Sequence, residues 1–483
     1  MPVGRGKRKR ASIVLVVLVG ALALAATVYG GSVIATPISS DPYTNFDSQH
    51  RTQLEPDSFG YGDTVVATFQ TGRFFDGGSS NIGWATTTNA GRTWTTGMLP
   101  QTTVNENGPW ARISDPAVAY DPLHDVWMIS TLAIDSNVSG AAVLTSRSTD
   151  GGLTWDPPVT TSTSPGTFYD KNWIVCDTWP TSPYYGHCYQ EWDDSRMTMS
   201  TSTDGGLTWG TPKFPGGSGV GGQPVVQPDG TVVVPYEGGV GIRAFRSENG
   251  GDTWLGSVAV ATVSEHNVAG NLRTSPLPSA EVAGDGKVYV AWQDCGFRTG
   301  CSSNDIVYST SMDGVAWTPK ARVPIDATNS TVDHFIPGFA VDRSTSGSST
   351  RLALGYYYYP VASCSSSTCQ LTVGFVSSTD AGATWTQARK VAGPIRLQDI
   401  ASTNQGVMVG DYMSTSFAGG NYAFPIFAVA KPKTGATFDE RAYSARFDVT
   451  APSLQPTIKA RRDPIRYRKH NMRIELESPL PVP

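Results

Sequence analysis

A string of about eight residues ending in tryptophan returns six times along this chain. Thr87 to Trp94 reads TTNAGRTW, and Ser148 to Trp155 and Ser202 to Trp209 both read STDGGLTW. Ser247 to Trp254 reads SENGGDTW, Ser311 to Trp317 reads SMDGVAW, and Ser378 to Trp385 reads STDAGATW. The tryptophans are spaced by 61, 54, 45, 63 and 68 residues. Self-similarity at such a period marks a repeat architecture in which each unit buries its apolar face against the next. The string has a mechanical reading. An Asp or Asn side chain accepts hydrogen bonds from the backbone of a tight turn. The Gly two residues later permits a positive φ, and the Trp supplies a large apolar plug between units.

Short strand-like segments surround each string. They include Asp115 to Tyr120, Val126 to Leu132 and Ala141 to Ser146 in the second unit, and Phe335 to Val341, Arg351 to Tyr358 and Leu371 to Val376 in the sixth. Four strands per unit, repeated around a ring, make an all-β propeller. After Trp385 one more unit lacks the string but keeps strand-like runs at 407–415, 422–430 and 441–448, which brings the count to seven four-stranded blades, with six as the alternative. A strand from Asp41 to Gln53 is expected to complete the last blade and remove an exposed edge. The domain reading is a leader at 1–35, a propeller at 41–448 and a basic, Pro-containing flexible tail at 449–483.

The six strings resemble the Asp-box, or bacterial neuraminidase repeat, of sialidases and related propellers, over roughly residues 55 to 448. The resemblance implies a reaction: three arginines grip a substrate carboxylate, a Tyr polarised by a Glu is the nucleophile, and an Asp is the acid/base. The family's first arginine lies in an F/Y-R-I-P motif ahead of the first box. This chain has none there, and the nearest string, Arg112-Ile113-Ser114-Asp115-Pro116, follows the first box. Two functions stay open: an exo-α-sialidase-type glycoside hydrolase acting on terminal acidic sugars, and a non-catalytic propeller that binds glycan or protein.

Propeller geometry nominates the site. Loops entering each innermost strand meet those between second and third strands on one face. At these places stand Glu55, Arg112, Asp115, Asp170, Arg273 and Asp333, and Arg73, Asp76, Asp193, Glu237 and Arg298. Asp411 and Tyr412 fall within the last unit's inner strand. The expected catalytic residues are Tyr412, Asp411 and Asp115, with a rival Tyr189–Glu191 pair alternating on one strand face. Arg73, Arg112, Arg273 and Arg298 are the expected substrate-binding residues. No metal or cofactor is required, although Asp193-Asp194 and Asp333-His334 offer a weak calcium signal.

Charge and cysteines bound the setting. Five basic residues lie in Arg5–Arg10 and six in Lys459–His470; without these segments 25 basic residues face 40 acidic ones. An acidic body disfavours nucleic acid. The basic start and the uncharged run Ala11 to Ala35 read as a secretory signal or an uncleaved membrane anchor, so the remainder is expected outside the cytoplasm. Membrane contact is then through the N-terminal segment alone, and the propeller is expected to be monomeric. Export makes disulfides the expected state of the six cysteines. Short separations favour Cys176–Cys188, Cys295–Cys301 and Cys364–Cys369 among the 15 connectivities.

Overall fold

The computed structural model describes residues 34–163, 168–194, 196–451 and 458–459, together with residue 1. Nearly all of the expected leader and of the expected tail lies outside the described residues. The regular structure described is almost entirely antiparallel sheet, arranged as a seven-bladed propeller.

Blade 1 is Gln49–Tyr61, Thr64–Arg73, Ser79–Thr87 and Thr95–Met98. Blade 2 is Arg112–Asp121, Val126–Ile134, Gly140–Ser148 and Val159–Thr163. Blade 3 has Asp170–Cys176, Cys188–Asp193 and Met197–Ser202, with its outer edge reduced to a bridge from Met199 to Lys213. Blade 4 is Val225–Val226, Val232–Glu237, Gly241–Ser247 and Leu255–Thr262. Blade 5 is Ser279–Val282, Val288–Asp294, Asp305–Ser311 and Ala321–Arg322, and blade 6 is Asp333–Val341, Leu352–Tyr359, Gln370–Ser378 and Arg389–Arg396. The seven first strands touch in sequence around a ring, and that of blade 7, Ser414–Ala418, returns to blade 1.

Blade 7 continues with Tyr422–Ala430 and Glu440–Ser444. Its outer strand is Thr36–Pro37, antiparallel to Tyr443 and Ser444. The closure therefore joins the two ends of the propeller, but through 36–37 and not through the expected 41–53. Residues 49–53 of that segment instead begin the innermost strand of blade 1, where Gln49 pairs with Arg73 and Gln53 with Thr71, and Thr52 makes a single parallel pairing with Glu440 of blade 7. The inner strand of blade 7 also starts later than expected. Residues 401–408 form a separate small hairpin, so Asp411 and Tyr412 precede the strand.

The repeated string is the turn between third and fourth strands. Asp150 accepts backbone N–H groups from Leu153 (3.1 Å) and Thr154 (2.9 Å), while Ser148 Oγ accepts from Gly152 (3.0 Å). The same contacts recur around Asp204 and Asp380, with Asn249 and Asn89 in the acceptor's place in blades 4 and 1. Each Trp packs toward the preceding blade. Trp155 lies with Val66 and Ile82 of blade 1, and Trp209 with Ala119 and Met128 of blade 2. Trp385 sits with Tyr308 of blade 5, and Trp94 with Ile426 of blade 7. Strands caught between two such interfaces are buried on both faces, which is why Thr64–Arg73 and Val126–Ile134 read as near-continuous buried runs. The three disulfides are Cys176–Cys188, Cys295–Cys301 and Cys364–Cys369.

Candidate functional site

The site begins with a backbone irregularity. In blades 1, 2, 3 and 6 the innermost strand loses register with its neighbour near its start. One non-glycine residue there takes a left-handed conformation: Glu55 (φ 55°), Asp115 (φ 46°), Lys171 (φ 44°) and Ile336 (φ 49°). Such a conformation costs about 1–2 kcal/mol for a side chain-bearing residue. A bulge of this kind re-aims a side chain, and here it gathers the three charged side chains. Lys171 Nζ lies 3.0 Å from Glu55 Oε1 and 3.3 Å from Asp115 Oδ1, joining three blades.

Blade 7 supplies the fourth member. Gly410 has φ 127°, and a Cβ there would lie 2.6 Å from the Glu55 Cα. This close approach lets Glu55 N–H donate to Val409 O (3.0 Å) and delivers Asp411 to the cluster. Asp411 Oδ2 lies 3.0 Å from Lys171 Nζ. Arg273 grips the same carboxylate with both prongs, Nε at 2.7 Å and an Nη at 2.5 Å. Arg273 is in turn fixed by its backbone N–H to Val407 O (2.9 Å), in the small hairpin of blade 7. Arg73 is 3% exposed and donates to Gln70 Oε1 (3.1 Å), and Gln70 donates to Glu55.

Three carboxylates and one ammonium are thus buried together, and their environments differ. Burial raises Glu55 above the ordinary carboxyl range, against the pull of Lys171. Burial likewise raises Asp115 against Lys171, and the nearby Asp170 adds to the rise. Burial pushes Asp411 the same way, but Arg273 and then Lys171 outweigh it and hold this carboxyl low. Burial works against the Lys171 ammonium, which the Asp411, Glu55 and Asp115 carboxylates nevertheless hold firmly charged.

A pocket opens above this cluster. Glu55, Asp115, Asp170, Arg73 and Arg273 line it, with Asp76, Tyr169, Phe168 and Asn404 at its walls. Of the sequence candidates, Asp115, Arg73 and Arg273 line this pocket, and Asp411 meets them from below through Arg273 and Lys171. Lys171 was not among the expected residues. Its only sequence signal is its place at the start of an innermost strand, matching Glu55 and Asp115.

The other candidates lie elsewhere. Tyr412 turns beneath Lys171, whose Nζ is 4.8 Å from the ring centre, and its hydroxyl donates to Pro116 O at 3.1 Å. Burial, followed by the Glu55 and Asp115 carboxyl groups, raises its pKa well above the ordinary phenol value. Tyr189 and Glu191 share a strand face as expected but lie between blades 3 and 4. The Tyr189 hydroxyl is buried without a partner, and Glu191 sits beside Asp193, raised first by burial and then by that neighbour. Arg112 is at the rim, paired with Asp76 and 4.1 Å from the Phe74 ring centre. Arg298 is held inside blade 5 by Asp305 (2.5 Å) and Asp326 (2.7 Å).

The calcium expectation meets a similar obstacle. Asp193 accepts the Gly221 N–H (3.0 Å), and Asp333 binds Asn304 N–H (2.7 Å) and His266 (3.2 Å). Among the described residues one trio, Asp305, Asp326 and His334, brings donor atoms within 4.8 Å. Arg298 and Arg322 already contact both of its carboxylates, so a cation would have to displace two guanidinium groups.

No protein-family model matches the sequence, and no curated protein matches it. Solved structures do align with it. A protein of unknown function from Dyadobacter fermentans covers 72% of this chain and 99% of its own, at 15% identity and a TM-score of 0.45. The NanB sialidase of Streptococcus pneumoniae covers 86% and 71% at 12% identity and a TM-score of 0.40. A Penicillium chrysogenum alpha-L-arabinanase complexed with arabinobiose covers 87% and 99% at 14% identity and a TM-score of 0.44.

Proposed function

We propose that the chain is an exported glycoside hydrolase whose pocket takes a terminal acidic sugar. One observation carries the reading: Asp115, raised by burial and by its neighbour Asp170, lines the same pocket as Asp170 and two arginines. A buried carboxyl held above its ordinary range beside a second carboxyl in a pocket is the pattern of acid–base catalysis. In this reading Asp115 gives its proton to the glycosidic oxygen, and Asp170 acts from the other side of the sugar as base or nucleophile. Arg273 and Arg73 supply the positive wall that a substrate carboxylate requires. Lys171 and Asp411 are positioning residues, holding Glu55, Asp115 and Arg273 in place. The basic start followed by a long apolar run supports export.

A second reading, a propeller that binds acidic glycans without cleaving them, draws on Tyr412. The nucleophile of the sialidase scheme has no counterpart there, since that hydroxyl is committed to Pro116 O. Glycan-array binding with calorimetry on the best ligand tests what both readings share. Acidic glycans should bind, and Arg273→Gln should weaken them by about tenfold or more. Neutral glycans binding as well as acidic ones would remove the arginine wall from the account. Turnover then divides the two readings.

A further inference from the structure

Below the ion cluster the propeller axis holds a second cavity that the proposed reaction does not use. Residues from the first strands of all seven blades, or from the segments leading into or out of them, line it. Lys171, Asp411 and Tyr412 close its upper end. Val118, Ile174, Val225, Leu277 and Phe339 make an apolar shaft, and Asp57, Glu281 and Arg343 stand toward the other end.

Arg343 is the unusual group. It follows the innermost strand of blade 6 and is only partly exposed. Its guanidinium lies 5.3 Å from the Phe59 ring centre and 5.4 Å from that of Trp179. One Nη donates to Thr178 Oγ1 at 2.7 Å, while its Nε is buried without a partner. Glu281 and then Asp177 act to keep the guanidinium charged, and burial raises both of these acids. Burial raises Glu281 to about 8, with Arg343 opposing and Asp57 adding to the rise. Burial raises Asp57 to about 7, against hydrogen bonds from Val118, Ser58 and Ser414. Both are therefore largely protonated in mildly acidic solution. They are then hydrogen-bond donors, and the guanidinium, with its Nε unpartnered and Asp177 as its remaining acidic neighbour, lies between aromatic rings at one end of an apolar shaft. A buried charge without a partner is costly, and a carboxylate matches a guanidinium in shape and charge.

We propose that this lower chamber is a second ligand site, distinct from the upper pocket, for a small organic carboxylate. Its acid group pairs with Arg343 and its apolar body enters the shaft between Val225, Leu277 and Phe339. The inference does not depend on glycoside hydrolysis.

The test uses the full chain at pH 6 with benzoate and hexanoate as probes, followed by calorimetry and thermal unfolding. Saturable binding and a raised Tm are expected for both, and benzyl alcohol should bind at least about tenfold more weakly. Arg343→Gln should lower benzoate affinity by about tenfold or more. Leu277→Trp, which keeps the guanidinium and fills the shaft, should do the same and decides the matter if the arginine variant does not fold. Arg73→Gln, in the upper pocket and away from the lower chamber's lining, should leave benzoate affinity unchanged. The proposal is overturned if neither probe binds saturably, or if Leu277→Trp binds benzoate like the parent. It is also overturned if inorganic sulfate binds as tightly as benzoate, or if Arg73→Gln abolishes the binding, which would place the probe above.

Discussion

Lys171 holds carboxylates from blades 1, 2 and 7 on one ammonium and is 7% exposed. Removing one partner of a buried charge cluster costs about 3–5 kcal/mol, because the rest is left uncompensated. Lys171→Met should therefore lower the unfolding free energy by that order at pH 7. It should recover part of the loss at pH 5, where Glu55 and Asp115 take up protons more readily. Denaturant titrations at the two pH values check this, and an equal loss at both would mean that the ammonium is not neutralising these acids. Tyr412→Phe removes one hydroxyl–carbonyl hydrogen bond, worth about 1 kcal/mol, and should leave any turnover within a few-fold of the parent. A drop of a thousandfold would restore Tyr412 as the nucleophile. At this scale the sequence was partly legible. Asp115, Arg73, Arg273 and Asp411 were found because their places in the repeat put them on one face. Arg298 shares that logic but not the site, because Asp305 and Asp326 arrive from neighbouring segments and close on it. Tyr412 lies beneath the cluster because Gly410 and the late start of the strand at Ser414 send it there.

The six Trp-bearing turns are the elements from which the ring was legible. Their hydrogen bonds are local, so a string of eight residues carries the whole turn. The closing strand was not, because Thr36–Pro37 is only two residues long and pairs through its backbone. Nor were the inner-strand bulges, whose register depends on the neighbouring strand. The turn tryptophans are not equal. Trp385 is 1% exposed and its indole N–H donates to Gly382 O (3.1 Å), whereas Trp94 is only half-buried. Trp385→Ala should cost about 3–5 kcal/mol and Trp94→Ala clearly less, by chemical denaturation of each. Equal losses would contradict the packing described for blades 5 and 6.

For the whole molecule, buried acids set the pH dependence of stability. Burial raises Glu440 to about 8, Glu281 to about 8, and Asp57 and Glu265 to about 7. A carboxyl group with a raised folded pKa contributes stability that is full below its unfolded pKa and lost as pH climbs through the folded value. Tm should accordingly fall from about pH 5, most steeply between about 5 and 7 where all four groups are protonated only in the folded state, and level off above about 8. Asp411 acts in the opposite sense, its contribution being lost only as pH drops toward its lowered value. Glu440 is fully buried; one oxygen accepts the Ala401 N–H (2.9 Å) and the other has no partner. Glu440→Gln keeps an acceptor and sheds the charge, so it should make the decline between about pH 5 and 8 shallower. A Tm that rises steadily from pH 5 to 9 would refute this assignment. The central claim, that the upper pocket cleaves acidic sugars through Asp115, is tested most directly by turnover. The full chain and its Asp115→Asn variant should be assayed with a fluorogenic sialoside and a panel of uronides and neutral glycosides. The account predicts release from an acidic glycoside by the parent, and a loss of about a hundredfold or more in the variant. No release from any acidic glycoside, or release undiminished in Asp115→Asn, would contradict it.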